Sequence, residues 1–207
     1  MLGLFIHIII GYLMAFLGLM SPGLLTMTTL NTAIDRGKNE AVKFALGAVV
    51  PIFIQAHIAL LGAEYLQAHP QIIKDFSKFA VLIFFTISIL FFHQYKQRNI
   101  KVKTFHFHIQ NSFLYGMLVS LFNPLAIPFY FTYSTLLEMQ GILVLHEPYI
   151  SIFVLSAVLG AFSILYIYAR HAPRLLSRIG LVAKHFKLIL AVIMCVLALA
   201  SLFNGFR

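Results

Sequence analysis

The first 34 residues, MLGLFIHIIIGYLMAFLGLMSPGLLTMTTLNTAI (Met1–Ile34), contain no Asp, Glu, Lys or Arg and are interrupted once, by Ser21-Pro22-Gly23. An uncharged run of that length exceeds the ~20 residues that cross a ~30 Å hydrocarbon core as a helix. Proline removes an amide donor and clashes with the carbonyl four residues back, so the span is expected to kink or break at Pro22. A second run, TFHFHIQNSFLYGMLVSLFNPLAIPFYFTYSTLL (Thr104–Leu137), is also 34 residues long and is interrupted by Asn123-Pro124. The two prolines lie 102 residues apart in a chain of 207.

Four more runs free of charged side chains fill the intervals: Phe44–Ala63, Phe79–Tyr95, Pro148–Ala169 and Leu188–Phe206. Together with the broken pair they predict six transmembrane helices. Composition agrees, since 61% of residues are hydrophobic and 10% charged, against roughly 45–50% and about 25% in an average soluble domain. A globular protein of this size cannot hide so much apolar side chain from water, so lipid is its expected solvent. The runs are continuous rather than alternating, which argues against a β-barrel. Cys195 is the one cysteine, which excludes a disulfide scaffold and a dithiol relay. The apolar N-terminus has no preceding Lys or Arg and is too long for an ordinary signal sequence, so it reads as a retained first helix. The whole of 1–207 is expected to form a single membrane domain.

Basic residues orient it. Arg36, Lys38 and Lys43 follow the first span. Lys96, Arg98, Lys101 and Lys103 follow the third, and Arg170, Arg174, Arg178, Lys184 and Lys187 follow the fifth. These are 12 of the 15 Lys and Arg, against Lys74, Lys78 and Arg207 on the other side. Positive residues stay in the cytoplasm, which places both termini outside. The formal charge of +9 is then explained by anionic lipid headgroups rather than nucleic acid.

Each broken run is followed by two further spans, so the chain reads as three helices plus three, with repeat 1 at about 1–100 and repeat 2 at about 104–207. An odd number of spans per half inserts the halves in opposite directions. The loop Glu138–Glu147, counterpart of the basic loop after the first span, indeed has no Lys or Arg. Matched breaks in the two halves of an inverted repeat mark a transporter's substrate site, because unwound backbone is tolerated only against protein or a water-filled cavity.

The chain resembles the LysE superfamily, the LysE/RhtB-type bacterial exporters of amino acids and ions. The first half carries the likeness in Ser21-Pro22-Gly23, Asp35-Arg36-Gly37 and Gly47, the second in Asn123-Pro124 within a long span. The resemblance covers nearly the whole chain through short motifs. It implies an all-α integral membrane protein of the bacterial cytoplasmic membrane, which exports a small polar metabolite such as an amino acid. The chain departs from the family pattern where Leu24 replaces a second proline, where Val50 and Pro51 replace an acid in span 2, and where Leu125 replaces a lysine after Asn-Pro.

Span 2 also holds Gln55 and His57, with Glu64 seven residues beyond His57 on the same helix face. Polar groups inside a span are costly and face the bundle interior. Imidazole changes charge near neutral pH, which makes His57 a candidate proton carrier, or else a hydrogen-bonding contact to a neighbouring helix. The candidate substrate path is thus Ser21, Pro22, Gly23, Gly47, Gln55, His57, Asn123 and Pro124. Thr26, Thr28, Thr29 and Asn31 of span 1 and Tyr130, Thr132, Tyr133, Ser134 and Thr135 of span 4 are candidates to line an uncharged polar pathway, but most are expected instead to bond back to their own helices or to join helices. His106 and His108, two residues apart with no Cys or carboxylate near, do not make a metal site, and no cofactor is implied.

The repeat Gly3, Gly11, Gly18 suits a close helix contact, within the molecule or in a homo-oligomer. The expected activity is secondary-active export by alternating access, with small-molecule substrate and membrane lipid as partners. A divalent-cation exporter and a non-transporting assembly or lipid-handling protein are the alternatives. An intramembrane enzyme is disfavoured, for want of paired intramembrane acids or a His-Glu-x-x-His motif.

Overall fold

A computed structural model describes residues 2–20, 23–69, 89 and 109–175. The expected spans Phe79–Tyr95 (Ile89 apart) and Leu188–Phe206 lie outside the described residues, as do Ser21, Pro22, His106 and His108. The described residues form six helices and no strand: α1 Leu2–Met20, α2 Leu24–Asp35, α3 Lys38–Ala68, α4 Ser112–Leu121, α5 Ala126–Met139 and α6 Tyr149–Leu175. Among these, α1, α3 and α6 are each long and apolar enough to cross a membrane, and α4 with α5 is a fourth candidate, bent by 59° at its break.

Both proline-marked runs are interrupted where the sequence expects. Helix α1 stops at Met20 and α2 begins at Leu24; α4 stops at Leu121 and α5 begins at Ala126. Pro128 falls in the first turn of α5, where a missing amide proton leaves no helical bond unmade. Pro51, by contrast, is buried inside an unbroken α3. Two spans outrun their uncharged cores, because α3 begins at Lys38 and α6 continues to Leu175, carrying their charged ends past the apolar stretch. Helical hydrogen bonding does not stop at the edge of an apolar run.

The chain divides into two compact units, Met1–Glu64 with Val102–Ser177 and Tyr65–Lys101 with Arg178–Arg207. Of the second, the described residues are chiefly the end of α3, where the His69 ring stacks on Tyr65 at 4.3 Å. The core of the first unit is built from Ala-rich helix faces: Ala45, Ala48, Ile52, Ala56 and Ala59 of α3 pack with Val119 of α4 and with Phe153, Val154, Ala157 and Ala161 of α6. Along α1 the buried positions are His7, Gly11 and Ala15, spaced by four, while Phe5, Ile8, Leu13 and Leu17 face outward. A helix apolar all round exposes large side chains freely where the surroundings are lipid.

Small residues let backbones touch. A Cβ on Gly47 of α3 would collide with the Phe113 carbonyl of α4, and one on Gly116 of α4 with the Phe44 carbonyl of α3. The same reciprocal contact joins α1 and α6: Gly11 abuts the Phe153 carbonyl and Gly160 the Tyr12 carbonyl. Gly3 and Gly18 face Tyr149 and Phe129, so the α1 glycine repeat serves contacts within the molecule.

Candidate functional site

A helix leaves its last carbonyls without amide partners of its own, and the ends of α1 and α4 meet this need alike. At the second break, Gln55 Nε2 of α3 donates to the carbonyls of Leu121 at 3.2 Å and Ser120 at 3.4 Å. At the first, Tyr168 Oη of α6 donates to the carbonyl of Met20 at 2.6 Å. Leu121 is the last residue of the 10-residue α4, and Met20 the last residue of α1, which at 19 residues is itself a candidate span.

The registers match as well. Gly47 lies against the Phe113 carbonyl, and eight residues further along each helix Gln55 reaches Leu121. Gly160 lies against the Tyr12 carbonyl, and eight residues further along each helix Tyr168 reaches Met20. Helix α4 is therefore packed in parallel against α3, and α1 against α6, each capped at its end by a polar side chain from its neighbour. Gly47 serves close packing here, while Gln55 stands at the break itself.

The remaining expected path residues are divided between local and long-range roles. The Gly23 amide donates to Thr26 Oγ1 at 2.8 Å while that hydroxyl donates to the Gly23 carbonyl, which starts α2. Asn123 is spent on its own turn: its Oδ1 accepts the Leu125 amide at 3.3 Å and its backbone amide donates to Ser120. Pro124 is exposed beside it. Several of the serine and threonine hydroxyls of spans 1 and 4 do bond back along their own helices, Thr28 to Leu24, Thr29 to Leu25, Thr32 to Thr28, Ser134 to Phe131 and Thr135 to Phe131. Ser112 and Ser120 of α4 are buried and their Oγ atoms have no partner, and the Oε1 of Gln55, whose Nε2 reaches the Ser120 carbonyl, is buried and unpartnered too.

Two further groups of contacts join segments distant in the sequence, one toward each end of α3. At the Glu64 end of α3, His57 Nε2 lies 3.6 Å from Glu147 Oε1. The partner comes from the loop before α6 rather than from Glu64. Glu147 also accepts the amide and hydroxyl of Ser151, at 3.3 and 2.9 Å, and so holds the first turn of α6. Nearby, buried His7 of α1 pins the same loop. Its Nδ1 lies 2.6 Å from the Gly3 carbonyl, and its Nε2 lies 3.0 Å from the Val144 amide nitrogen and 3.2 Å from the Val144 carbonyl. Its ring centroid lies 4.8 Å from that of Tyr149.

At the Lys38 end, Arg36 Nη1 donates to the Ile109 carbonyl at 2.8 Å and its guanidinium lies over Tyr115, 5.6 Å from the ring centroid. Gly37 follows with φ +94°, a left-handed turn that only glycine adopts without strain. Asn111 caps α4 by accepting the amides of Phe113 and Leu114.

Tyr168, His7, Glu147 and Ser120 are the functional candidates that sequence reasoning missed. Tyr168 had a legible signal, because Gly160-to-Tyr168 repeats the eight-residue spacing of Gly47-to-Gln55. His7 and Glu147 had none beyond being polar near span ends.

A family model described as LysE type translocator matches residues 16–205. Comparison with curated proteins and with solved structures found no match.

Proposed function

Because the chain belongs to the LysE type translocator family, a family of multi-pass membrane transporters, we propose that it is a secondary-active exporter of a small polar metabolite, an amino acid or a derivative of one. It works by alternating access in a bacterial cytoplasmic membrane. In this reading residues 1–207 form one membrane domain of six spans, two inverted three-helix repeats with both termini outside.

The observation that carries the reading is the pair of capped breaks. Tyr168 on Met20 and Gln55 on Leu121 relate the spans in the pattern a two-fold exchange of the halves would produce. Span 1 meets span 5 as span 4 meets span 2. Unwound backbone near mid-membrane, at the interface of inverted repeats, is where transporters hold their cargo. Gln55 sits near the middle of the uncharged part of α3, between Lys43 and Glu64. The two end contacts suit the gating that alternating access requires. Arg36 with Ile109 closes the cytoplasmic end, and His7 with Val144 and His57 with Glu147 close the outer end. In this reading His57, 3.6 Å from the Glu147 carboxylate, carries the coupling proton.

Purified protein in liposomes loaded in turn with amino acids, small amines and metal ions tests this. Saturable counterflow of at least one amino acid or derivative is expected. A folded protein that moves none of them ends the exporter reading.

A further inference from the structure

We propose that the second break is a binding site for a desolvated alkali cation, built from Gln55 Oε1, Ser120 Oγ and the carbonyls of Ser120 and Leu121. The site goes beyond the export reading, and cation binding here stands or falls independently of which metabolite is moved.

The polar groups collected at this point offer oxygen lone pairs. The Leu121 and Ser120 carbonyls end a half-helix, which concentrates partial negative charge there, and each lies within 3.4 Å of the Gln55 carboxamide. The Gln55 side chain is 6% exposed and Ser120 0%. In the structure the carboxamide donates to both carbonyls with its Nε2, the Ser120 carbonyl also accepting the Asn123 amide, and the Gln55 Oε1 and the Ser120 Oγ are each buried with no partner, as is the Ser112 Oγ earlier on α4. Buried polar groups are nearly always paired, and these two oxygens belong to residues that meet where Gln55 Nε2 reaches the Ser120 carbonyl, so their lone pairs are open to a ligand. Ser120 is placed for this by not bonding back along its helix, as Thr28, Thr29, Thr32 and Thr135 do.

The carboxamide has two faces, and they define two states. With Nε2 inward, an N–H stands where a cation would and the carbonyls are quiet. Turned over with nothing bound, Oε1 would face the Leu121 oxygen and two like partial charges would repel. A cation between them reverses the sign of that contact and recruits the Ser120 hydroxyl as a further oxygen ligand. No carboxylate is among these ligands, and divalent ions are ordinarily held by carboxylates, so the chemistry fits a single positive charge. Waters or the cargo itself complete the shell, the usual arrangement at broken membrane helices. Binding at the 59° bend between α4 and α5 ties occupancy to the geometry of the break.

Thermal unfolding of the purified full-length chain in detergent, titrated at constant ionic strength, tests the site. The probes are sodium chloride, potassium chloride, methylammonium chloride and N-methyl-D-glucamine chloride. Sodium is expected to raise Tm saturably and N-methyl-D-glucamine not to. Ser120→Ala, a small change in a helix, should raise the half-saturating sodium concentration by about tenfold or more, while Gln55→Glu, which adds a full charge, should lower it by a similar factor. A Tm that does not respond to sodium overturns the site, since water then satisfies the orphaned atoms. So does a sodium response unchanged in both variants. A response to methylammonium without one to sodium assigns the oxygens to an amine and equally overturns the alkali-cation assignment. The assay measures no transport, so a failed flux experiment and a failed binding experiment are separate results.

Discussion

Tyr168 of α6 donates its hydroxyl to the carbonyl of Met20, the last residue of α1, just as Gln55 of α3 donates to Leu121 at the end of α4. In both cases a glycine eight positions earlier on the donor helix, Gly160 or Gly47, lets the two backbones touch. The glycine sets the distance between helices, and the polar side chain then arrives at the level of the break.

Removing the Tyr168 hydroxyl should therefore cost more than its single bond suggests. Tyr168→Phe leaves the Met20 carbonyl unsatisfied at a half-buried helix end, a loss of about 1–3 kcal/mol. Tyr166→Phe, on the exposed side of the same helix where the hydroxyl meets only Arg170, should stay within about 0.5 kcal/mol. Thermal or chemical unfolding of both variants in the same detergent measures the difference.

Glycine-to-alanine substitutions should differ in sign along one helix. At Gly47 and Gly160 the added methyl meets backbone carbonyl atoms that cannot step aside, so a destabilisation of about 1–3 kcal/mol is expected. At Gly62 the nearest atoms are those of the Phe131 ring at 3.9 Å, an ordinary contact. There the gain in helix propensity should stabilise by roughly 0.5–1 kcal/mol. A lower Tm for Gly62→Ala than for Gly47→Ala would contradict the packing described.

His7 holds the loop before α6 through the Val144 amide. His7→Leu fills the space yet orphans that amide, and His7→Gln keeps an acceptor. Limited proteolysis between Leu143 and His146 should be faster in His7→Leu than in wild type, with His7→Gln between them. Equal rates in all three would show that the loop is held by other contacts.

The contact of His57 with Glu147 is partly exposed on both sides, at 27% and 51%. Solvent screening limits such a pair, and a double-mutant cycle with His57→Gln and Glu147→Gln should return a coupling of no more than about 1 kcal/mol. In the proposed exporter the pair carries a coupling proton. In liposomes, His57→Gln should keep substrate counterflow and lose the response to an imposed pH gradient. Retention of the full gradient response would remove His57 from the coupling.

Much of this architecture was legible in the residues. Continuous uncharged runs mark helices in lipid, and Ser21-Pro22-Gly23 and Asn123-Pro124 mark the two interruptions, because proline's missing amide acts locally. Gln55 was legible as an expensive polar group within a span. Its partner was not, since a hydrogen bond to Leu121 spans 66 residues of chain. The same holds for His57. Helix periodicity points it toward Glu64, whereas the fold supplies Glu147 from beyond the second break. Asn123 was read as part of the path, yet its side chain builds the turn after α4, as a short amide side chain beside a helix end readily does.

The sequence by itself determined that the chain is helical and membrane-embedded, where its spans are interrupted, and which family it belongs to. These follow from hydropathy, from proline chemistry and from short motifs, all readable within a few turns. Only the tertiary structure decided which face of each helix is inside. In lipid an outward Leu and an inward Leu are equally content, so hydrophobicity does not sort them. The sorting falls instead to small and polar residues: His7, Gly11 and Ala15 on α1, Gly47 and Gln55 on α3, Gly160 and Tyr168 on α6. Their meaning depends on the carbonyl each one meets across the helix interface.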